Sequence, residues 1–196
     1  MTDTKLIFDI DVDGVIRDMV PKMVECYNEV FNEKMSYADV ADYDVDISFP
    51  KACEKYGSAA KFFFDICGDE LYLDSKACMF AKEAMLLLSD CGIVNIVTKQ
   101  PSARNKMTTV QWLDEKGIKY DSLMFVRNGK SSLPCDVFVD DHDKNFYGCG
   151  GQLGVLIDAP YNRNVDLDEL KSHTDFQRIV RCNSLYDFAR NIENLI

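Results

Sequence analysis

The stretch that decides the fold lies at residues 5–15 and reads KLIFDIDVDGV. Its first six residues are mostly apolar, which is typical of a strand buried on both faces of a parallel sheet. Asp11 and Asp13 follow this strand directly, and Gly14 allows the chain to turn sharply after it. Because ligands of open α/β sheets bind outside the carboxyl ends of the strands, we expect both carboxylates to face a binding site.

Three interpretations of this acidic turn are open from the residues alone. The first is a solvated turn, and the second is a calcium loop, because residues 9–14 match the opening of the EF-hand pattern. The calcium loop lacks its closing Glu, since Val20 stands at that position. The third is a nucleophile with a proton-transfer partner for phosphoryl transfer, which alone requires two acids at this spacing after a buried strand.

Length and net charge restrict the class of protein. A chain of 196 residues is long enough for one α/β domain with a modest insertion, and too short for two large domains. Its formal net charge of −11 argues against a nucleic-acid polymer as partner. A small phosphorylated substrate is compatible with this charge, because a metal ion and a few cations can reverse the local sign.

The cysteines and the N-terminal sequence favour a cytoplasmic protein. None of the eight cysteines belongs to a C-x-x-C pair or has metal-ligand spacing, so we expect reduced thiols. The N-terminus shows no basic-then-apolar signal segment. No apolar run reaches the roughly 18 residues of a membrane span, so we expect no membrane association.

The segment after the first strand is predicted to leave the sheet. Apolar residues at helical spacing predict an amphipathic helix over 19–31. Residues 36–74 show no clear strand and contain two short helix candidates, at 51–56 and 59–66. We therefore predict a small helical cap at residues 18–74. Its own core is expected to take most of its aromatic side chains, namely Tyr43, Phe49, Phe62, Phe63, Phe64 and Tyr72.

The rest of the chain alternates between helix and strand patterns, which is typical of a parallel sheet with helices on its faces. We predict that an α/β core is formed by residues 1–17 and 75–196. Gly92 and Gly117 are expected to end two of its helices in the left-handed conformation. The predicted elements are helices at 75–89, 102–116 and after Ser184, and strands at 93–97, 120–126, 136–139, 153–157 and 178–181.

Polar side chains recur where these strands end. Asp140 and Asp141 follow the strand at 136–139, and a second acidic pair after a second buried strand is much less expected by chance than one. Thr98 ends an earlier strand, where its hydroxyl either donates to a phosphate oxygen or only begins the next helix. Lys130 lies in the loop before the fourth strand. Parallel strands bring such residues to one edge of the sheet.

This pattern resembles the haloacid dehalogenase-like (HAD) phosphatases, and within them it looks most like the 5'(3')-deoxyribonucleotidases. The resemblance covers nearly the whole chain. It implies an α/β fold, with a Rossmann-like parallel sheet flanked by helices and a small helical cap inserted after the first strand. It rests on Asp-x-Asp-Gly-Val at residues 11–15, Thr98, Trp112, Arg127, Lys130, the pair Asp140-Asp141 and the segment 161–163.

The resemblance implies catalytic roles for three residues. Asp11 would attack phosphorus and form an aspartyl-phosphate, which divides one difficult hydrolysis into two easier steps. Asp13 would protonate the leaving sugar oxygen and later take a proton from the attacking water. Lys130 would supply positive charge beside the phosphate and Asp11.

A magnesium ion is implied as cofactor, because a phosphate and several carboxylates cannot share a pocket without compensating charge. Asp11 and Asp140 would bind Mg²⁺ through carboxylate oxygens, and Asp13 through its backbone carbonyl. Asp141 is a further candidate for the metal site. It would orient a metal-bound water or shape the loop, and a solvated acid at a helix start is the alternative.

Four more residues are candidates for substrate binding. Thr98 would hold phosphoryl oxygens, and Lys99 would add a cation where related enzymes tend to have a second small hydroxyl residue. Met19 stands where those enzymes carry a Phe against the base, and it would pack there more loosely. Arg17 would contact phosphate or sugar, or pair with acids of the cap.

The implied function is a Mg²⁺-dependent phosphomonoesterase that acts on nucleoside monophosphates, preferentially pyrimidine deoxyribonucleotides. The enzymatic alternative is a phosphatase for a sugar phosphate or phosphoglycolate, and aromatic groups facing the pocket would favour a base. The non-enzymatic alternative is a module that binds metal and phosphate without catalysis. The partner is then a small-molecule nucleotide, and a homodimer is a further expectation by analogy with related nucleotidases.

Overall fold

A six-stranded parallel sheet forms the centre of the computed structural model, which describes residues 5–127, 129–130 and 134–196. Residues 1–4 and 131–133 of the predicted core, and Asn128 of the predicted loop, lie outside the described residues. In chain order the strands are β1 (Leu6–Ile10), β2 (Arg17–Asp18), β3 (Lys76–Ala77), β4 (Gly92–Thr98), β5 (Ser122–Phe125), β6 (Val137–Asp140), β7 (Gly150–Ile157) and β8 (Asp175–Cys182).

The sheet has the order β5-β4-β1-β6-β7-β8, and every neighbouring pair is parallel. β1 is central, with β4 on one side and β6 on the other. Its carboxyl end therefore lies where the strand order reverses, which is the place where open α/β sheets bind ligands. The α/β fold class predicted from the sequence is confirmed.

Helices cover both faces of the sheet, because alternate residues of each strand point to opposite sides. On one face, Val137 and Val139 belong to the large apolar cluster that also contains Trp112 and Phe188. On the other face, Phe138 belongs to a smaller cluster with Phe146 and Phe176. None of the described helices is both long and apolar enough to cross a membrane. The helices are α1 (Met19–Phe31), α2 (Val45–Ser48), α3 (Pro50–Tyr56), α4 (Ala59–Lys61), α5 (Gly68–Leu73), α6 (Ala81–Cys91), α7 (Ala103–Glu115), α8 (Leu167–Ser172), α9 (Leu185–Arg190) and α10 (Ile192–Leu195).

The helix predicted over 75–89 begins six residues later than expected, at Ala81. The preceding residues form β3, which pairs antiparallel with β2, and the Cys78 amide donates to the Ile16 carbonyl at 2.8 Å. Phe80 then adopts a left-handed conformation (φ 60°) that separates this ribbon from α6. Pairing with a distant part of the chain therefore overrides the helical spacing of these residues.

Gly92 does not end α6 in the left-handed conformation that the sequence suggested. Its φ of −176° is extended, and it is the first residue of β4. A Cβ at this position would lie 2.1 Å from the Leu6 carbonyl oxygen, so glycine is needed for the close approach of β1. Gly117 has a φ of 63° after α7, as predicted.

The segment between β2 and β3 contains α1 to α5 and packs around an apolar cluster of its own. α1 covers residues 19–31 as predicted, but the helix candidate at 59–66 is divided, because α4 ends at Lys61 and Phe62–Ile66 forms one π-helical turn. The division into a cap at 18–74 and a core stays a prediction. The cluster comprises Met19, Met23, Val24, Tyr27, Val40, Phe49, Ala52, Ala59, Phe62, Phe63, Leu71 and Tyr72.

Candidate active site

Three carboxylates meet at the carboxyl edge of the two central strands. Asp11 directly follows β1, Asp140 ends β6, and Asp141 comes next in the chain. The Asp11 amide donates to the Val139 carbonyl at 3.0 Å, which extends the pairing of β1 with β6 and brings the acids together. One oxygen from each carboxylate lies within 4.8 Å of the other two, and all three residues are buried.

Lys130 places its ammonium group between two of these carboxylates. Its Nζ lies 2.7 Å from Asp11 Oδ1 and 2.6 Å from Asp140 Oδ2, and the residue is only 3% exposed. Burial by itself would lower the pKa of Lys130, but the two carboxylates beside it raise that pKa above its ordinary value. Lys130 therefore remains a cation inside the site.

Asp11 does not behave as an ordinary carboxyl group in this setting. Burial raises its pKa to about 7, with Asp140 and Asp13 adding to the shift and Lys130 opposing it. A single ammonium is thus too little positive charge for the carboxylates that face it. The site holds either protons or another cation at neutral pH.

Asp140 is held in place by three hydrogen bonds besides its contact with Lys130. The His142 amide donates to Oδ1 at 2.9 Å, and Asn145 Nδ2 lies 3.0 Å from Oδ1 and 3.1 Å from Oδ2. Asn145 stands five residues after Asp140 in a short 3-10 helix, Asp143–Phe146, and no sequence pattern marked it as a site residue. It fixes the direction in which the Asp140 oxygens point.

Asp141 is fixed by the segment at 161–163, which the sequence analysis used only for the resemblance. The Tyr161 hydroxyl donates to Asp141 Oδ2, and Asn162 Nδ2 donates to the Asp141 carbonyl at 2.7 Å. Burial, together with the nearby Asp140 and Asp11, raises the pKa of Asp141 well above its usual value. This residue is 4% exposed, so the interpretation as a solvated helix-start acid is wrong.

The donor set suits a hard divalent cation such as Mg²⁺. The candidate ligands are all carboxylate oxygens, which is what Mg²⁺ prefers. Asp11 Oδ1 is buried and, although close to Lys130, is not aligned for a hydrogen bond to any described residue. An acceptor in that state, beside acids with raised pKa values, fits a cation site.

Asp13 lies apart from the three clustered carboxylates and contacts different residues. Arg17 Nε lies 2.7 Å and Nη2 2.6 Å from its Oδ1, while Gln100 Nε2 donates to its Oδ2 at 2.8 Å. Its side chain is 24% exposed and lines the cavity described below. The predicted role of its backbone carbonyl as a metal ligand stays a prediction.

Gln100 links Asp13 to the end of β4, and sequence analysis did not identify it. Its Nε2 also approaches Thr98 Oγ1 at 3.2 Å, so the buried Thr98 lies close to Asp13 as well. Lys99 points away from this contact, is exposed, and lines the cavity. Met19 is 5% exposed and lines the same cavity.

Arg17 differs from both of the roles that the sequence suggested. Its residue exposure is 0%, and its ion-pair partner among the described residues is Asp13, not an acid of the cap. The guanidinium lies between the rings of Tyr72 and Trp112, out of reach of the cavity surface. Buried aromatic packing, which spacing along the chain does not reveal, makes it an internal residue and not a substrate contact.

A cavity of about 730 Å³ opens between the sheet edge and the helical segment above it. Asp13 and Asp141 lie on its floor, with Lys99 and Lys144 at its polar side. Its size is within the range of roughly 300–1,000 Å³ that is typical of small-molecule sites. The helical segment lines it with two acids, Asp42 and Asp44, with Tyr43, and with an apolar wall from Met19, Val20, Met23, Val40, Ala41, Val45, Phe49, Phe64 and Tyr72.

One aromatic residue of the helical segment reaches across to the core. Tyr43 lies with its ring centroid 3.4 Å from that of His142 and 5.7 Å from that of Tyr161. It is 51% exposed, whereas Phe49, Phe62, Phe63 and Tyr72 are buried within the apolar cluster as predicted. Phe64 is half-buried and, like Tyr43, lines the cavity, so these two of the six predicted core aromatics depart from the prediction.

Comparison with known proteins identifies the family. A sequence model for the family described as "5' nucleotidase, deoxy (Pyrimidine), cytosolic type C protein" matches residues 5–185. The chain belongs to this family. A 5'(3')-deoxyribonucleotidase from Clostridium acetobutylicum is 24% identical over 184 residues, covering 91% of this chain and 96% of that protein.

Solved structures agree with this assignment at the level of the fold. A haloacid dehalogenase-like family hydrolase from Streptococcus pneumoniae has a TM-score of 0.62 at 12% identity, covering 98% of this chain and 100% of that one. L-2-haloacid dehalogenase from Xanthobacter autotrophicus has the same TM-score at 11% identity, with the same coverage. At these identities the likeness concerns the fold alone.

Membership of the cytosolic type C family has a direct consequence for activity. The protein is a phosphoric monoester hydrolase of the HAD superfamily, of the deoxyribonucleotidase type, as the sequence had indicated. The cluster around Asp11 and Lys130 lies at the sheet edge where this fold binds ligands.

Proposed function

We propose that the protein hydrolyses deoxyribonucleoside monophosphates, preferentially those of pyrimidines, with Mg²⁺ as cofactor and a small-molecule nucleotide as its only partner in catalysis. The family description and the Clostridium relative, whose name states this activity, support the substrate class. The observation that carries the proposal is the buried group of Asp11, Asp140 and Asp141 around Lys130, next to a cavity with an apolar wall.

Asp11, Asp140 and Asp141 are the residues that would hold the metal. Bound Mg²⁺ would neutralise part of the charge of the carboxylates and of the substrate phosphate, and would polarise a phosphoryl oxygen. Lys130 contributes its own fixed charge, because its ammonium is already in contact with Asp11 and Asp140. Together these cations allow a dianionic phosphate to approach an anionic nucleophile.

In the first step a carboxylate oxygen of Asp11 attacks phosphorus, and the bond between phosphorus and the sugar oxygen breaks. Asp13 gives its proton to the departing sugar oxygen, so the nucleoside leaves with a free hydroxyl group. The product on the enzyme is an aspartyl-phosphate at Asp11. Thr98 and backbone amides after Asp11 hold the phosphoryl oxygens during this step.

In the second step a water molecule attacks the same phosphorus atom, and the bond between phosphorus and Asp11 breaks. Asp13, now a carboxylate, takes the proton from the water. Inorganic phosphate leaves, Asp11 is again a free carboxylate, and Asp13 is again protonated. The cycle is therefore closed without any further reactant.

The base would lie against the apolar wall of the cavity. Tyr43 and the half-buried Phe64 offer aromatic surface, and Met19 offers a flexible thioether that packs on a ring face. Lys99 would lie near the phosphate, where its positive charge adds to that of Lys130. An apolar wall of this kind favours a nucleotide over a sugar phosphate or phosphoglycolate, which carry no ring system to stack.

The test is phosphate release from a panel of deoxyribo- and ribonucleoside 5'- and 3'-monophosphates and simple sugar phosphates, with Mg²⁺ and with chelator. We expect chelator-sensitive turnover that is fastest on deoxypyrimidine nucleotides. Turnover confined to sugar phosphates would overturn the assignment of nucleotides as the substrate. No turnover on any compound would overturn catalysis and leave the module that only binds metal and phosphate.

A pair of matched variants tests the nucleophile. Asp11→Asn should abolish turnover with the fold intact, because an amide does not attack phosphorus. Asp9→Asn makes the same substitution two residues earlier in β1, where the buried carboxyl only accepts a hydrogen bond from Asn95 at 3.0 Å. Retained turnover in Asp11→Asn would remove the nucleophile assignment. Asp9→Asn measures how much turnover is lost when a buried carboxyl in this part of the chain is changed to an amide without removing the nucleophile.

A further inference from the structure

Arg17 is the largest buried charged side chain among the described residues, and it lies where the helical segment meets the core. Its guanidinium carbon is 4.6 Å from the ring centre of Tyr72 in α5 and 5.2 Å from that of Trp112 in α7. Nη2 donates to Thr109 Oγ1 at 3.2 Å, also in α7. Two helices therefore fix the plane of this guanidinium.

The backbone of Arg17 is fixed to the acidic turn as well. The Arg17 amide donates to the Val12 carbonyl at 2.8 Å, and the Gly14 amide donates to the Arg17 carbonyl at 2.8 Å. Because both ends of the side chain are held, the guanidinium has one position relative to Asp13. Nε and Nη2 both lie within 2.7 Å of the same oxygen, Asp13 Oδ1.

Stability alone does not account for a charge at this position. Nη1 of Arg17 is buried and has no hydrogen-bond partner among the described residues, which is unfavourable. An apolar side chain of similar length would fill the space between two aromatic rings without that cost. What the guanidinium does, and an apolar group would not, is hold Asp13.

The chemistry of the guanidinium decides which oxygen of Asp13 carries the catalytic proton. Arginine has five donors and no acceptor, so an oxygen that faces it stays an acceptor. Oδ1 is that oxygen. The proton of the acid form therefore resides on Oδ2, which faces Gln100 Nε2 at 2.8 Å. Gln100 Oε1 is buried without a partner among the described residues, so its amide is able to turn and accept from a protonated Oδ2.

We propose that Arg17 is a positioning residue for Asp13: it orients the carboxyl group so that Oδ2 carries the transferred proton. Its guanidinium is itself held by side chains of α5 and α7. This inference rests on the proposed function, in which Asp13 is the acid and base. Arg17 itself touches neither the substrate nor the phosphate.

The test separates acid catalysis from general damage by changing the leaving group. A deoxynucleoside leaves as an alcohol and needs a proton, whereas p-nitrophenolate leaves readily without one, and kcat/KM reports the step in which the leaving group departs. We compare wild type, Arg17→Met, Arg17→Lys and Asp13→Asn on a deoxypyrimidine monophosphate and on p-nitrophenyl phosphate. The measured quantity is the ratio of the two kcat/KM values.

Arg17→Met should lower kcat/KM for the nucleotide at least tenfold more than for p-nitrophenyl phosphate, in the same direction as Asp13→Asn. Arg17→Lys, which keeps the charge but loses the planar fork, should fall between Arg17→Met and wild type. The lysine variant also keeps the test decisive if the methionine variant does not fold.

Arg104→Met is the matched control. Arg104 also connects α7 to α5, through an ion pair with Asp69 at 2.6 Å, but it is exposed and does not reach Asp13. We expect its ratio to equal that of wild type. If Arg104→Met reproduces the effect, loosened packing of α5 on α7 explains it and the inference is overturned.

The remaining outcomes distinguish the inference from the function on which it rests. Equal loss on both substrates in Arg17→Met, or no loss at all, overturns the positioning role while a selective loss in Asp13→Asn keeps the proposed function. If Asp13→Asn shows no selective loss, or if the wild type hydrolyses neither compound, the proposed function itself is overturned and the role of Arg17 with it.

Discussion

Burial is the main reason that the pKa of the Asp11 carboxyl lies at about 7. The unfolded chain would release this proton near the ordinary value of 3.8, so between about 4 and 7 the folded state binds more protons than the unfolded state. The contribution of Asp11 to stability is therefore present at low pH and is lost as pH rises through about 7. A carboxyl group binds a metal ion in its deprotonated form, so Mg²⁺ in the proposed site would oppose this protonation of Asp11.

We predict that the chelated protein becomes less stable relative to an Asp11→Asn variant as pH rises from 5 to 8. Urea unfolding in chelator at several pH values measures this directly. The variant should show a flatter dependence in the same window, because its amide does not titrate. Parallel curves for the two proteins would mean that Asp11 titrates alike in the folded and unfolded states. Added Mg²⁺ should stabilise the wild type more at pH 8 than at pH 5.

Lys130 is the only fixed cation in contact with Asp11 and Asp140 among the described residues. Replacing it with Met removes that charge, so kcat on the nucleotide should fall about 100-fold or more. Steady-state kinetics at saturating Mg²⁺ gives the value. Lys22→Met is the matched control, because Lys22 is also buried and also paired with two acids, Glu25 and Glu70, but lies in α1 away from the carboxylate cluster. An equal loss in both variants would show that any buried lysine is required for folding.

Among the structural elements, the turn that joins β1 to β2 brings Asp11 and Gly14 close to Asp141, in the proposed metal site. Gly14 has a φ of 86°, and a Cβ there would lie 2.0 Å from Asp141 Oδ2. Gly57 has nearly the same φ, 83°, but a Cβ there would meet nothing within 4 Å. The two glycines therefore separate backbone strain from displacement of Asp141.

We predict that Gly57→Ala costs about 1–3 kcal/mol of unfolding free energy through strain alone. Gly14→Ala should cost more and should also weaken Mg²⁺ binding, because Asp141 has to move. Urea unfolding and titration calorimetry with Mg²⁺ measure the two effects. Unchanged Mg²⁺ affinity in Gly14→Ala would argue that Asp141 is not a metal ligand.

The elements also show what the sequence could and could not predict. The alternation of strands and helices gave the parallel sheet, and acids at strand ends gave Asp11 and Asp140, because both signals are local. The β2-β3 ribbon was missed because it depends on pairing between residues far apart along the chain, namely Arg17 with Ala77 and Asp18 with Lys76. Gln100 and Asn145 were missed because a single amide side chain carries no sequence pattern, and only the fold brings it to a carboxylate.

At the scale of the whole molecule, the cavity exists because the helical segment packs against the carboxyl edge of the sheet. α5 packs on α7 around Arg17 and through the Arg104–Asp69 ion pair, and Tyr72 of α5 lines one side of the cavity. Tyr43 contacts His142 and Tyr161 and holds the other side. The carboxylate cluster lies in the core and the apolar wall in the helical segment, so the nucleotide of the proposed function would contact both.

Tyr43→Ala tests whether this second contact matters for substrate binding. Loss of the ring opens the cavity on one side and removes aromatic contacts worth about 0.5–1.5 kcal/mol, so KM for the nucleotide should rise about 2- to 10-fold. The kcat value should change little, because Tyr43 does not touch the carboxylate cluster. Tyr147→Ala removes a similarly exposed tyrosine that stacks on His173 at 4.9 Å, on the far side of the core, and should leave KM unchanged. A fall in kcat with constant KM in Tyr43→Ala would instead mean that the contact acts on the chemical step. The helical segment would then control the position of the carboxylates and not the binding of the base.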